Sequence, residues 1–202
     1  MERRFAPALR ALQKLFQDAA LAFKIPIRFA LVGGLAVSAW GVVRATQDID
    51  LLADSTPSPL RNQALRAGLQ SFLQERGCAI EWRVGEADDP IPLLLRIEML
   101  RPASGLAADV LWAHKRWQRE ALMRRISLRV SRLDVFVLHP EDLVLMKLEA
   151  GGPQDLLDVE ALLSNAPSEL DVRQLRRKAA QLRLGMELDR CLRHSRGKHR
   201  KL

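Results

Sequence analysis

Two carboxylates, Asp48 and Asp50, stand one residue apart in Gln47-Asp48-Ile49-Asp50-Leu51-Leu52-Ala53. In an extended strand, residues two apart point to the same face, so both acids fall side by side among apolar neighbours. Such a pair loses hydration and repels itself, and a cation between the two relieves both costs. A hard divalent ion such as Mg²⁺ suits the position, because it prefers oxygen ligands and keeps part of its water shell. A solvated edge strand with two surface acids would have the same pattern. Upstream, Gly33-Gly34 separates the strand-like Phe29-Ala30-Leu31-Val32 from an almost wholly apolar helical segment, Leu35 to Val43. There, missing side chains let the backbone approach a phosphate, and the helix directs its first amides toward it. A single glycine supplying a positive φ is the plainer account of a lone Gly-Gly. Here, however, glycines and acids lie on consecutive strands joined by one helix, which sets a phosphate cradle beside a metal site. Arg44 and Thr46 precede the acids. They either position phosphates and orient the acids, or serve as a charge partner for Asp48 and a plain strand residue.

These groups need elements to hold them, and the periodicity supplies candidates. A helix is predicted over 3–23, with Phe5, Leu9, Leu12, Leu15, Phe16 and Ala19 on one face, stopped at Ile25-Pro26-Ile27. Strands follow at 28–32 and 47–53. Residues 54–59 form a turn that offers N-caps to a helix over 59–76, which Gly77 ends. Further strands are expected at 79–84, 92–99, 107–112, 126–130 and 134–138. The basic stretch 113–125 fits no element cleanly. Helices at 141–150, 154–164, 171–183 and 185–193 complete the chain, the first three separated by Gly151-Gly152-Pro153 and Pro167. The last residues, HSRGKHRKL, have no apolar period and are expected to be unstructured. The fold class is α/β (α+β): a mixed central sheet flanked by helices, then a helical region. The division expected is a core with its N-terminal helix over 1–138, a helical region over 139–195 and a basic tail over 196–202.

Composition sets outer limits. The chain has 202 residues, 48% hydrophobic and 28% charged, too apolar for a disordered protein. No apolar run reaches the roughly 18 residues of a membrane span, so no membrane partner is expected, and the N-terminus lacks a signal peptide's unbroken apolar core. Cys78 and Cys191 have no metal-ligand spacing and read as buried thiols, which fits a reducing, cytoplasmic setting. Of the net charge of +8, residues 172–202 alone carry +9, from eleven Lys and Arg against two acids.

The order Leu31-Val32-Gly33-Gly34, helix, Arg44-Ala45-Thr46-Gln47-Asp48-Ile49-Asp50-Leu51 resembles the signature of the polymerase-β-like nucleotidyltransferase superfamily. That resemblance implies the nucleotidyltransferase fold and a third carboxylate on a later strand, a role that Asp109 in Ala107-Ala108-Asp109-Val110-Leu111 fits. It also implies two Mg²⁺ ions, a nucleoside triphosphate (NTP) as substrate, and Asp48, Asp50 and Asp109 as catalytic and metal-holding residues. Pro140 to Leu148 with Gln154-Asp155-Leu156-Leu157-Asp158 resembles the AbiEii-like abortive-infection enzymes, in which a lysine and a following Arg-Asp…Asp motif line the nucleotide side of the cleft. Lys147 and Asp155 match that motif; Gln154 stands where arginine is usual. Asp158 reads either as a sugar, base or Lys147 contact or as exposed helix surface, the latter favoured. The resemblance covers about residues 28–165.

The implied activity moves a nucleoside monophosphate from an NTP to a hydroxyl. The acceptor expected first is a tRNA 3′ end, in a toxin–antitoxin or phage-defence setting with an antitoxin or toxin protein as partner. A protein hydroxyl follows, as in a protein AMP-transferase, and a small molecule comes third. A catalytically silent nucleotide- or RNA-binding module is the alternative of another class. Arg173, Arg176, Arg177, Lys178 and Arg183, with the tail cations, offer a backbone-binding surface for RNA. Lys115, Arg116, Arg119, Arg124 and Arg125 around Trp112 and Trp117 could guide an acceptor strand, although packing is the preferred account of the tryptophans.

Overall fold

In a computed structural model, which describes residues 5–86, 91–99, 106–130 and 132–198, the predicted strands join into one mixed sheet. Its seven strands are β1 (Ile27–Leu31), β2 (Ile49–Ser55), β3 (Cys78–Val84), β4 (Leu93–Met99), β5 (Ala107–Trp112), β6 (Ile126–Val130) and β7 (Leu133–Val137). They lie in the order β3-β4-β5-β2-β1-β7-β6. The central β2 runs antiparallel to β1 and parallel to β5, and β1 runs parallel to β7. Strand β2 is buried along nearly its whole length, as a strand covered on both faces must be.

Eight helices accompany the sheet among the described residues: α1 (Phe5–Phe23), α2 (Gly33–Ala39), α3 (Gln63–Gln74), α4 (Arg116–Met123), α5 (Pro140–Ala150), α6 (Pro153–Asn165), α7 (Val172–Gln181) and α8 (Gly185–Lys198). Helix α1 buries Phe5, Ala8, Leu9, Leu12, Phe16 and Ala19, with Leu15 at the margin of that face. Phe16 stacks on Phe29 of β1 at 4.8 Å between ring centroids. The architecture is therefore the mixed α/β one expected, strands interspersed with helices up to β7 and helices alone after it.

Several boundaries differ from the sequence expectation. Strand β2 begins at Ile49, so Asp48 stands at its mouth rather than inside it. Helix α2 starts at Gly33 itself and ends at Ala39, leaving residues 41–46 as a connection. Helix α3 starts at Gln63, not 59, because its cap is Asn62, whose Oδ1 accepts from the Leu65 amide at 2.9 Å, rather than a residue of the turn at 54–59. The unassigned basic stretch contains α4. Helix α8 continues to Lys198, so residues 194–198 of the expected tail are helical, anchored by buried Leu188, Cys191, Leu192 and Ser195. Residues 199–202 lie outside the described residues. Cys78 and Cys191 are free and buried, as read from their spacing.

Two buried acids tie the last helices to the rest. Glu141 and Asp142, in the first turn of α5, are both fully buried. Asp142 accepts from Arg124 after α4 at 3.0 and 3.1 Å and from Lys178 of α7 at 2.9 Å. Glu141 accepts from the Asp171 amide at 2.7 Å, just ahead of α7, and pairs with His139. A buried charge is tolerated only when so partnered.

Candidate functional site

The parallel pairing of β2 and β5 sets Asp50 directly across from Asp109. The antiparallel pairing of β5 and β4 sets Asp109 across from Arg96, and β4 with β3 sets Arg96 across from Glu81. Directly opposed residues share a face, so Asp50, Asp109, Arg96 and Glu81 form one row across four strands. Asp48 enters this row from the mouth of β2. Arg96 Nη1 donates to both Asp109 oxygens at 3.2 and 3.1 Å, and Arg96 Nη2 stands 4.0 Å from Asp48 Oδ1.

Asp50 is strongly perturbed. Burial, and after it the charge of Asp109, pushes its pKa up to about 6 against the pull of Lys147. Asp109 is also raised by burial, against the lowering effect of Arg96. Repulsion between neighbouring acids is thus felt at Asp50 and Asp109, two of the residues the sequence singled out.

The glycines fit closely around these side chains. Gly33 has φ +58°, and a Cβ there would lie 1.9 Å from Asp50 Oδ2. A Cβ on Gly34 would lie 1.6 Å from Arg44 Nη1 and 3.1 Å from Thr46 Oγ1. Both positions are therefore glycine for reasons internal to the fold. One makes room for the acid, the other for the arginine.

A cavity of about 190 Å³ opens beside Gly33 and Asp50, lined also by Leu111, Met146, Lys147 and Asp155. Lys147 is buried and forms ion pairs with Asp155 at 2.7 Å and Asp158 at 2.8 Å. Arg44 pairs with the other oxygen of Asp158 at 3.0 Å. Arg44 and Thr46 line a second, larger cavity of about 520 Å³ together with Phe5, Leu35 and Val42. The ion-pair chain Arg44–Asp158–Lys147–Asp155 thus links the two hollows. Of the predicted residues, Asp48, Asp50, Asp109, Gly33, Lys147 and Asp155 come together, while Arg44 and Thr46 sit behind Gly34. Thr46 Oγ1 donates to the Asp48 carbonyl at 3.3 Å.

Two expectations are corrected here. Asp158 is not exposed helix surface: it is 2% exposed and holds both Arg44 and Lys147. Arg44 pairs with Asp158 rather than with Asp48. Most cations of the 113–125 stretch are already engaged, Lys115 with Glu149, Arg116 with Glu120, Arg119 with Asp54 and Arg124 with Asp142. Trp112 is buried and Trp117 packs against the core, in line with the packing account.

Arg96 is the member that sequence reasoning missed. Its signal was a lone cation in the apolar run Leu93 to Met99, which becomes meaningful only once the register opposes it to Asp109. Asp158 also had a signal, since it stands four residues before buried Leu162 on the inward face of α6.

The donor set suits a hard divalent cation: carboxylates on adjacent strands whose mutual repulsion a cation would relieve. Among the described residues no group of three or more His, Cys, Asp or Glu side chains is gathered closely enough to hold a metal. The guanidinium of Arg96 lies between Asp109 and Asp48, in the position of a counter-cation.

No protein-family model and no curated protein matches the chain. Among solved structures it is similar to an antigenic nucleotidyltransferase-like protein from Paracoccidioides brasiliensis, with 16% identity over 93% of each chain and a TM-score of 0.48. A protein from Thermotoga maritima described as a candidate nucleotidyltransferase matches at 15% identity, covering 75% of this chain and 88% of that one, with a TM-score of 0.48. A lincomycin-bound lincosamide antibiotic adenylyltransferase matches at 14%, covering 72% and 90%, with a TM-score of 0.41.

Proposed function

We propose that this chain is a Mg²⁺-dependent nucleotidyltransferase that moves a nucleoside monophosphate from an NTP to an acceptor hydroxyl. The observation that carries the reading is the registered pair Asp50–Asp109, with Asp48 at the strand mouth and Asp50 itself lining a cavity that Gly33 and Lys147 help to line. Asp48, Asp50 and Asp109 are the residues that would hold Mg²⁺, which when bound neutralises charge on the triphosphate and on departing pyrophosphate. Asp109 accepts the proton of the attacking hydroxyl at a carboxylate oxygen. The hydroxyl oxygen bonds to the α-phosphorus as the bond to the bridging oxygen breaks, and pyrophosphate leaves. Gly33 keeps the helix start clear of side chain, so the first amides of α2 can approach phosphate oxygens. Lys147, held in line by Asp155 and Asp158, presents its ammonium to the same anion.

The acceptor we favour is RNA, with a tRNA 3′ end as the first candidate, because the exposed cations concentrate in α7 and α8. The AbiEii-like resemblance adds a toxin or phage-defence setting to this reading. A silent nucleotide- or RNA-binding module is the second reading, favoured by the hold of Arg96 on Asp109. One experiment separates them. The purified protein is incubated with Mg²⁺, each α-labelled NTP in turn and total tRNA, beside an Asp48→Ala/Asp50→Ala control. Label on RNA that vanishes in the control supports the transferase and its acceptor class; label on protein makes it an AMP-transferase. No label, with NTP-dependent thermal stabilisation intact, leaves the silent module.

A further inference from the structure

We infer that Arg96 is a resident counter-cation that a divalent ion must displace from Asp109, so that this arginine sets the metal affinity of the acid row. The inference rests on the reading that Asp48, Asp50 and Asp109 hold a metal, and goes beyond it by assigning a competitor. Three features of the row support it. Arg96 takes up both oxygens of Asp109, at 3.2 and 3.1 Å, and leaves that carboxylate little capacity for a further cation along the same direction. The same guanidinium lies 4.0 Å from Asp48, so one arginine answers two of the three acids. A second perch is ready, since Arg96 Nε is already 3.7 Å from Glu98 Oε1 on its own strand. Glu81, across on β3, is held instead by Arg83 at 3.0 Å through both oxygens, which leaves Glu98 to receive a displaced guanidinium.

The arrangement has an electrostatic logic. Three carboxylates converging without a cation would cost the fold stability, and a tethered guanidinium offsets that cost at high local concentration. The tether also makes loading conditional: an ion supplied together with a triphosphate competes better than the ion alone, because the nucleotide adds ligands and charge. Arg96 is a positioning residue in this account and has no part in the bond-making step.

The test is calorimetric titration of the protein with Mn²⁺ alone, without nucleotide, in the wild type, Arg96→Gln, Arg96→Lys and Asp50→Asn. Circular dichroism of each variant establishes that it is folded. Arg96→Gln is expected to bind Mn²⁺ about ten-fold or more tightly than the wild type, the scale of one charge-assisted hydrogen bond. Arg96→Lys, which keeps the charge but cannot reach Asp109, Asp48 and Glu98 through three nitrogens at once, is expected to fall between them. Affinity in Arg96→Gln equal to or below the wild type, with binding still abolished by Asp50→Asn, overturns the inference and leaves the metal site standing. No Mn²⁺ binding in either protein, or binding indifferent to Asp50→Asn, removes the metal reading and the inference with it. If Arg96→Gln does not fold, Arg96→Lys decides alone: tighter binding than wild type supports displacement, and unchanged binding overturns it.

Discussion

At the scale of single residues, the glycines and the acids constrain one another. Gly33→Ala would force an L-residue to φ +58° and press its Cβ to 1.9 Å from Asp50 Oδ2. The backbone part alone costs about 1–3 kcal/mol, and Asp50 must move. Gly34→Ala has no positive φ to force and meets the far end of the flexible Arg44 side chain, with Thr46 Oγ1 at 3.1 Å. Gly33→Ala should therefore lower the melting temperature more, and should also abolish NTP-dependent stabilisation; equal melting losses in the two variants would contradict this account. Asp50 itself makes a second prediction. Its folded pKa of about 6 lies above that of the unfolded chain, so between about pH 4 and 6 the folded state binds more protons. Stability linked to Asp50 is full below the unfolded pKa and is lost as pH rises through the folded one. Asp50→Asn should raise the stability of the metal-free protein at pH 7.5, by up to about 3 kcal/mol for a shift of that size, and do little at pH 4. Urea midpoints at the two pH values check it. This part of the site was legible beforehand, because strand alternation fixes which face an acid takes. Arg96 was not, because a cross-strand partner depends on pairing and register that no local pattern encodes.

Elements carry a different burden, that of fixing the helices to the sheet. Asp142 of α5 is fully buried and answers both Arg124 and Lys178, so one carboxylate joins the end of α4 to α7. Removing it leaves the half-buried Lys178 ammonium without this ion pair. Asp142→Ala should cost about 3 kcal/mol, in the range for breaking a buried pair. Asp142→Leu with Lys178→Met should recover part of that loss, because the more buried ammonium is gone and only Arg124, whose side chain is 40% exposed, loses its partner to water. Denaturant unfolding of the three proteins tests this; a double variant as unstable as Asp142→Ala would count against it. The sequence marked these elements unevenly. Helix α1, strands β3 to β5 and the break at Gly151-Gly152-Pro153 follow directly from periodicity and from proline and glycine. The start of α3 was displaced because the turn at 54–59 offers polar caps of its own, whereas Asn62 caps the helix. Helix α4 was obscured because its inward residues, Gln118, Ala121 and Leu122, include a polar one. That glutamine is buried because its side-chain oxygen accepts from the amides of His114 and Lys115 at 3.0 and 3.1 Å, closing the helix start.

For the whole molecule, the decisive feature is where its charge lies. Outside residues 172–202 the chain is nearly neutral, whereas that segment carries a net +9. Over residues 172–195 the structure divides its cations into two sets. Lys178 is consumed by Asp142, and Arg176 pairs with Asp189 at 3.0 Å. Arg173, Arg177, Arg183, Arg190 and Arg193 are exposed on or beside the packed helices α7 and α8. If these five meet a single-stranded acceptor, each neutralised phosphate releases counterions, and log affinity should fall against log salt with a slope of about −3 to −4. Replacing Arg177, Arg190 and Arg193 by glutamine should weaken binding and bring the slope to between about −1 and −2. NTP-dependent melting should be unchanged, since none of the three lines the cavity beside Asp50. Fluorescence anisotropy with labelled tRNA across a salt series measures all of this. A slope indifferent to these substitutions would mean that the basic helices do not read a polyanion, and the acceptor hydroxyl would have to be sought on a protein or a small molecule.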